Sequence, residues 1–256
     1  MTLAERLAAD ETIYAAWSTL PDALTTEALA ATAFDCVLLD MQHGGHGEDS
    51  VLRCLAPVMA SGKPGIVRIP VGRFDMASRA LDYGAAAVVA PMINSVEDAR
   101  AFAASVKYPP LGERSWGPGF VAARDRQTDA LARLRGTNSQ TVSFAMIETR
   151  RAYEALDDIL AVPGIDAVFI GPSDFSIAWT NGEKLNANLP EMMDAVADIA
   201  ARARAAGKYV GTYLVDMAPA GKLRDMGIRF FGFGPEARLM GAGAGALLAE
   251  AKSATA

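Results

Sequence analysis

The sequence is poor in the residues that build disulfide frameworks and thiolate metal sites, with only two cysteines and two histidines among 256 residues. Cys36 and Cys54 lie in apolar segments, which predicts buried free thiols in a reducing compartment rather than a disulfide. The sequence also contains no Cys-x-x-Cys pair and no Gly-x-Ser-x-Gly motif. It therefore gives no sign of a thiolate zinc site or of a hydrolase with a serine nucleophile.

Clustered positive charge and long apolar runs are also missing. The net charge is −6 and the lysines and arginines are scattered, which argues against a nucleic-acid-binding face or a basic membrane-surface helix. The longest uncharged apolar run, Ala85–Ile93, is too short to span a bilayer. The first residues carry charge where a signal peptide needs an apolar stretch. We expect a cytoplasmic protein without a nucleic-acid or membrane partner.

Eight short apolar runs alternate with longer amphipathic stretches along the chain, and the hydrophobic fraction of 51% is enough to bury a large core. Most runs are apolar throughout rather than alternating between apolar and polar residues, as expected for strands buried on both faces. The runs are Ile13–Leu20, Cys36–Met41, Gly65–Pro70, Ala86–Met92, Thr141–Glu148, Ala167–Asp174, Tyr209–Asp216 and Phe230–Pro235. Eight such units in about 250 residues predict one (β/α)8 TIM barrel domain over residues 1–256.

A doubly wound open sheet is the alternative architecture. It is disfavoured because no Gly-x-Gly-x-x-Gly motif follows the first run and no composition shift divides the chain. The clearest helix covers Pro190–Ala206, and Asn94–Asp98 offers a capping box for the helix before Lys107. The proline- and glycine-rich segment Tyr108–Arg124 is predicted to be a long irregular loop.

Polar residues recur where the predicted strands end, which is the end of a barrel that carries the chemistry. These residues are Trp17, Asp40, His43, Arg68, Glu148 and Asp174. Glu148 and Asp174 end neighbouring strands about 4.8 Å apart, so both carboxylates can reach one Mg²⁺ or Mn²⁺ ion. The alternative is that both are solvated strand-end acids.

Arg68 lies on a buried strand, so its guanidinium needs an anionic partner. That partner is either an internal carboxylate, Asp40 or Glu148, or the carboxylate of a substrate. His43 is a candidate base, although a lone loop histidine is more often solvated than catalytic. No lysine projects into the barrel from a strand, and only Lys184, in the loop after the sixth strand, could approach the site. This pattern favours a metal mechanism over a Schiff base.

At these residues the sequence resembles the class II, metal-dependent pyruvate aldolases, the 4-hydroxy-2-oxoheptanedioate aldolase-like members of the HpcH/HpaI aldolase/citrate lyase superfamily. The resemblance runs from the first strand to about residue 250. The segments that carry it are Phe34–Asp40 with His43, Val67–Arg68, Ala90–Met92, Lys107–Arg114, Ile147–Arg150 and Val168–Asp174. The last two segments are the most specific.

The resemblance implies reversible cleavage of a 4-hydroxy-2-oxoacid to pyruvate, or a related 2-oxoacid, and an aldehyde. It implies Glu148 and Asp174 as ligands of Mg²⁺ or Mn²⁺, with Co²⁺ as a further candidate. The implied catalytic residues are His43 as general base, Arg68 as the enolate clamp, Asp40 and Asp82. The implied substrate-binding residues are Trp17, Arg68, Met146, Gly171, Pro172, Ser173 and Tyr213. The family also implies a hexamer whose barrels exchange C-terminal helices.

The sequence departs from the family pattern at two places. Met41 and Gln42 stand where the family usually has Gly-Glu, and Met146 stands where it usually has a glutamine that contacts pyruvate. These departures predict a donor pocket that admits a bulkier or less polar oxoacid, and they do not involve the metal ligands. Asp82 precedes the fourth strand, so it could serve His43 only from a neighbouring subunit.

The segment Glu236–Lys252 contains three closely spaced glycines, which would leave an isolated helix marginal. Exchange with another subunit would compensate, and packing on its own barrel is the alternative. Two other functions remain open. An acyl-CoA lyase of the same superfamily would need a basic patch for the nucleotide phosphates, and a catalytically silent barrel could serve as a binding subunit.

Overall fold

The computed structural model describes residues 1–256 and closes eight parallel strands into a barrel in which each strand pairs with its sequence neighbours. The first and last strands pair to close it. The strands are β1 Ile13–Ser18, β2 Cys36–Asp40, β3 Gly65–Arg68, β4 Ala87–Ala90, β5 Val142–Ile147, β6 Ala167–Ile170, β7 Tyr209–Tyr213 and β8 Phe230–Phe233. The predicted TIM barrel is confirmed. Each strand starts within one residue of the predicted run and ends one to four residues earlier.

Helices follow the strands around the outside of the barrel. They are α1 Leu3–Ala8, α2 Ala23–Ala30, α3 Glu48–Ala60, α4 Phe74–Asp82, α5 Val96–Val106, α6 Gly119–Asp125, α7 Ala130–Gln140, α8 Arg150–Glu154, α9 Leu156–Leu160, α10 Pro172–Trp179, α11 Pro190–Ala205, α12 Ala220–Asp225 and α13 Glu236–Ala254. None is long and apolar enough to cross a membrane. The predicted helix at 190–206 is confirmed, with Pro190 in its first turn. Both cysteines are buried free thiols, as predicted.

Side chains that alternate along the strands fill the inside of the barrel and place the polar groups at its top. Because side chains on a strand alternate between faces, the inward position after Leu38 is Asp40, and the one after Ile66 is Arg68. Phe144, Phe169 and Phe230 occupy the interior, with ring centroids 5.1–6.4 Å apart. The outward-facing residues pack against the helices in a second, larger apolar cluster. The upper end of the barrel is left for polar side chains.

One expectation about the middle of the chain needs correction. The segment Tyr108–Arg124 is not irregular throughout, because α6 begins at Gly119 within it. Lys107 follows α5 in an extended conformation. Its buried ammonium donates to the carbonyls of Asn138 and Thr141 at 2.8 Å. It ties α7 to the base of the barrel and is far from the strand ends.

The C-terminal helix α13 projects from the barrel. In its first turn Glu236 is buried and Leu239 is partly buried against the barrel, and every residue from Met240 onward is exposed. A Cβ built on Gly241, Gly243 or Gly245 would meet no other atom within 4 Å. The alternative in which these glycines pack against their own barrel is therefore wrong.

Candidate active site

A cavity of about 250 Å³ opens at the carboxyl ends of the strands. Eleven of the twelve predicted site residues line it, namely Trp17, Asp40, His43, Arg68, Met146, Glu148, Gly171, Pro172, Ser173, Asp174 and Tyr213. Three further lining residues, Thr19, Phe169 and Pro235, were not predicted. Phe169 could have been found from strand alternation, because it lies two residues before Gly171. No lysine lines the cavity, so no side chain there can form a Schiff base.

An ion pair between neighbouring strands forms one side of the cavity. Asp40 and Arg68 are direct partners in the β2–β3 register. Arg68 Nε donates to Asp40 Oδ1 at 2.8 Å, and Nη2 donates to Oδ2 at 2.5 Å. Burial alone would raise the pKa of Asp40, but the guanidinium holds that pKa below its ordinary value. Of the two internal partners considered for Arg68, Asp40 is therefore correct and Glu148 is wrong.

Asp40 also fixes the groups around Arg68. Trp17 Nε1 donates to Asp40 Oδ2 at 3.1 Å, and the Trp17 ring lies 4.8 Å from the guanidinium carbon. The backbone N–H groups of Gln42 and His43 donate to Asp40 Oδ1 at 3.0 and 3.3 Å. A guanidinium has five N–H groups, so Arg68 keeps donors for a bound anion in addition to those on Asp40.

The two histidines have different surroundings. His43 is exposed at the mouth of the cavity, and its ring makes no hydrogen bond within the chain. His46 is buried, lies outside the cavity lining and bonds to other side chains. The side chain that can meet a substrate is therefore that of His43, as predicted.

Glu148 and Asp174 face the cavity from different kinds of element. Glu148 directly follows β5, is 1% exposed, and accepts a hydrogen bond from the Met92 N–H at 2.7 Å. Burial, with the charge of Asp174 adding to it, raises the pKa of Glu148 to about 7. The prediction that Asp174 ends a strand is wrong, because this residue lies in the first turn of α10. Pro172 at the start of that helix was the overlooked sequence signal.

The residues around Glu148 suit a divalent cation. A buried carboxylate without a cationic partner is unfavourable, and a second carboxylate beside it adds repulsion. Gly171 preserves the space beside Glu148, because a Cβ at this position would lie 2.2 Å from Oε2. No group of three or more histidine, cysteine or acidic side chains is placed to hold a metal. Two carboxylates completed by water and substrate oxygens fit the coordination that Mg²⁺ favours.

Aromatic and thioether groups form the remaining wall of the cavity. Trp17 lies edge-to-face with Tyr213 at 5.0 Å and tilted against Phe169 at 5.9 Å. The Tyr213 hydroxyl donates to the Gly234 carbonyl at 2.8 Å, and this hydrogen bond fixes the orientation of the side chain. Met146 completes this wall next to Glu148. The cavity thus has a charged side and an apolar side.

Asp82 is the predicted site residue that the fold does not bring to the cavity. It ends α4 at the opposite end of the barrel, where Arg114 Nη2 donates to it at 2.6 Å. Burial raises the pKa of Asp82 despite this partner. Within one chain, Asp82 therefore cannot contact His43.

Comparison with known proteins places this site in a family. The family model described as HpcH/HpaI aldolase/citrate lyase matches residues 14–241, which include all of the cavity residues. The chain belongs to this family. The predicted resemblance is confirmed over residues 14–241, a range that includes the ion pair and both carboxylates of the cavity.

Named relatives of the chain are aldolases. A hydroxypyruvate/pyruvate aldolase of Rhizorhabdus wittichii is 34% identical over 239 residues, covering 93% of this chain and 94% of that protein. A 4-hydroxy-2-oxo-heptane-1,7-dioate aldolase of Salmonella heidelberg is 32% identical, covering 91% and 88%. Among solved structures, a HpcH/HpaI aldolase/citrate lyase family protein from Burkholderia cenocepacia superposes with a TM-score of 0.84 at 27% identity, covering 98% of both chains. The aldolases among these relatives are carbon–carbon lyases.

Proposed function

We propose that this protein is a divalent-metal-dependent aldolase that reversibly cleaves a 4-hydroxy-2-oxoacid to pyruvate, or a related 2-oxoacid, and an aldehyde. The observation that carries the proposal is the convergence of Glu148, Asp174 and Arg68 on one cavity. The names of the relatives at about 32% identity support the reaction class. The absence of a lysine from the cavity supports a metal-based rather than an imine-based reaction.

Glu148 and Asp174 would hold the cation, with Mg²⁺, Mn²⁺ and Co²⁺ as candidates. When bound, the cation supplies Lewis-acid stabilisation of the negative charge that develops on the oxygens of the 2-oxoacid. Glu148 must be ionised to bind, and its pKa near 7 makes that state accessible at neutral pH.

Arg68 would grip the carboxylate of the donor and stabilise the enolate. Its orientation is set before substrate binds, because Asp40 holds two of its nitrogens. A preorganised charge of this kind stabilises a developing anion without reorganisation. The backbone N–H groups near Ser173 and Asp174, at the start of α10, would help Arg68 by donating hydrogen bonds to the donor oxoacid. Gly171 and Pro172 shape this end of the cavity.

His43 would act as the general base, directly or through a water molecule. A histidine ordinarily titrates near neutral pH, which suits it to move the proton of the donor methyl group and of the product hydroxyl. Its backbone is tied to Asp40, so the base and the enolate clamp share one anchor. Asp82 could assist His43 only from a neighbouring subunit.

The apolar wall would receive the less polar parts of both substrates. Trp17 and Tyr213 would line the aldehyde pocket, and Met146 would contact the donor. Because a thioether is a weak hydrogen-bond acceptor, Met146 favours a donor with an apolar group at C3 over one with a hydroxyl.

The exposed part of helix α13, from Met240 onward, supports an oligomer, and we propose the hexamer with exchanged C-terminal helices that the family resemblance implies. Leu247 and Leu248 are 68% and 56% exposed in the single chain, and the glycines beside them permit close approach of another backbone. The two buried free thiols support a reducing, cytoplasmic location.

Turnover of a generic 4-hydroxy-2-oxoacid, measured with and without a chelator, tests the proposed function. The aldolase assignment predicts pyruvate release that chelation abolishes and a divalent cation restores. An acyl-CoA lyase would instead cleave a coenzyme A thioester and leave the oxoacid intact. A catalytically silent barrel would turn over neither compound.

A further inference from the structure

A buried cluster of three side chains lies behind the cavity and has no part in the chemistry described so far. His46 Nε2 lies 2.9 Å from Ser18 Oγ, and Ser18 Oγ donates to Glu236 Oε1 at 2.6 Å. All three are buried, with Ser18 at 0%, Glu236 at 2% and His46 at 5% exposure. Two of them, Ser18 and Glu236, lie 218 residues apart in sequence. The cluster joins the end of β1, the β2–α3 loop and the first residue of α13.

The chemistry of these groups fixes the direction of each hydrogen bond. Hydrogen bonds hold the pKa of Glu236 below its ordinary value although burial raises it, so the carboxylate is ionised and only accepts. Ser18 has a single hydroxyl hydrogen, and that hydrogen points to Glu236. Ser18 Oγ must therefore accept from His46, which carries its hydrogen on Nε2. With Glu236 ionised, the single hydroxyl hydrogen of Ser18 therefore sets the remaining proton position.

This arrangement excludes a nucleophilic role for Ser18. In a catalytic triad the histidine lies between the serine and the acid and removes the serine proton. Here the serine lies between the histidine and the acid, its proton is held by Glu236, and its oxygen is fully buried. The cluster can orient groups but cannot attack a substrate.

The cluster connects the end of β1 to the β2–α3 loop, which carries His43. Glu236 also accepts from the Thr19 N–H at 2.9 Å and from the Thr19 hydroxyl at 2.9 Å, which fixes a wall residue of the cavity. The Thr19 carbonyl in turn accepts from the Gly45 N–H at 2.8 Å. The loop passes so close that a Cβ on Gly44 would lie 3.0 Å from the Thr19 Cα. The loop residues on both sides of this contact, His43 and His46, are thereby fixed relative to β1.

We propose that Glu236, Ser18 and His46 act as positioning residues that set the placement of His43 and couple it to the first turn of α13. This inference rests on the proposed role of His43 as the base. The three residues, here called the positioning relay, contact neither Glu148 nor Arg68. They affect how well the base is aligned and leave the binding of the donor oxoacid intact. Glu236 is the only buried residue of α13, so the relay is the buried attachment of this helix to the site.

The relay is tested with His46→Leu, His46→Gln and Ser18→Ala in the full-length protein loaded with Mn²⁺. The measurements are exchange of the pyruvate methyl protons with D₂O by NMR and the affinity for oxalate, a stable mimic of the enolate. His46→Leu should slow exchange by about tenfold or more, since small misplacement of a catalytic group lowers rates by up to about 10². Oxalate affinity should change by less than about twofold, because the lost interaction concerns alignment of the base rather than binding.

His46→Gln restores an N–H donor near the position of Nε2 and should recover exchange to within about threefold of wild type, since a donor is all that Ser18 requires. Ser18→Ala is the smaller change and covers the case in which the leucine variant fails to fold. It should lower exchange as His46→Leu does. Ser143→Ala is the matched control, because it removes a buried strand serine at the opposite end of the barrel. It should lower stability and leave exchange unchanged.

Wild-type exchange in Ser18→Ala, or loss of exchange without recovery in His46→Gln, would overturn the relay. An oxalate affinity that falls in proportion to the exchange rate would overturn it as well, because it would indicate a general loss of structure. His43→Ala separates this inference from the proposed function. If His43→Ala exchanges like wild type, the base assignment fails. If His43→Ala is inactive while the His46 and Ser18 variants behave as wild type, only the relay fails.

Discussion

Gly171→Ala is the smallest substitution that tests the carboxylate pair, because it adds one methyl group beside Glu148. The added Cβ would lie 2.2 Å from Glu148 Oε2 and 3.0 Å from Glu148 Cβ. Ordinary contacts lie near about 3.5 Å, so the carboxylate or the end of β6 must move by more than about 1 Å. The backbone of Gly171 has φ −90°, which alanine adopts freely, so the strain comes from the contact alone.

The expected result is a loss of at least about 10² in turnover, since a displacement of about 1 Å in a catalytic site is enough for that effect. Mn²⁺ affinity, measured by titration calorimetry, should fall with it because Glu148 is displaced. The free energy of unfolding should fall by about 1–3 kcal/mol, the usual cost of overpacking a buried contact, so the protein should still be folded in the assay. The matched control is Gly221→Ala in α12, where a Cβ meets no atom within 4 Å. Unchanged Mn²⁺ affinity and turnover in Gly171→Ala would refute the assignment of Glu148 as a ligand.

Three further predictions concern the guanidinium, the buried acid and the C-terminal helix. Arg68→Lys keeps the charge but loses the two-pronged contact with Asp40, so kcat/KM should fall by about 10² or more, and wild-type kinetics would make Arg68 structural. In metal-free protein the folded pKa of Glu148 is raised from 4.5 to about 7, so the unfolded state loses its proton first and stability falls as pH rises through that window. The expected loss in the free energy of unfolding is up to about 3 kcal/mol. Urea melts of wild type and Glu148→Gln at pH 5 and pH 8 measure it, and an equal pH dependence in both proteins would contradict the prediction. Truncation after Leu239 keeps Glu236 in place and should dissociate the oligomer, which light scattering would show as a lower mass. An unchanged mass would show that α13 does not hold the subunits together.

The barrel could be predicted because buried parallel strands are written in the sequence as short continuous apolar runs. The strand ends then indicated Asp40, Arg68 and Glu148, since a side chain two residues beyond an inward apolar residue faces the same way. Asp174 was assigned to the wrong element because the apolar run continues past Ile170 into the first turn of a helix. The cluster of Ser18, His46 and Glu236 depends on contacts across the whole chain, which no local pattern encodes.

Metal-dependent proton exchange of pyruvate is the most direct measurement of the central claim, because it isolates enolisation from the aldehyde and from product release. Protein freed of metal by chelation should leave the methyl signal of pyruvate in D₂O at its background rate. Addition of Mg²⁺ or Mn²⁺ should restore exchange in wild type and fail to restore it in Glu148→Gln or Asp174→Ala. Full exchange in chelator, or restoration by metal in both carboxylate variants, would contradict enolisation at this carboxylate pair.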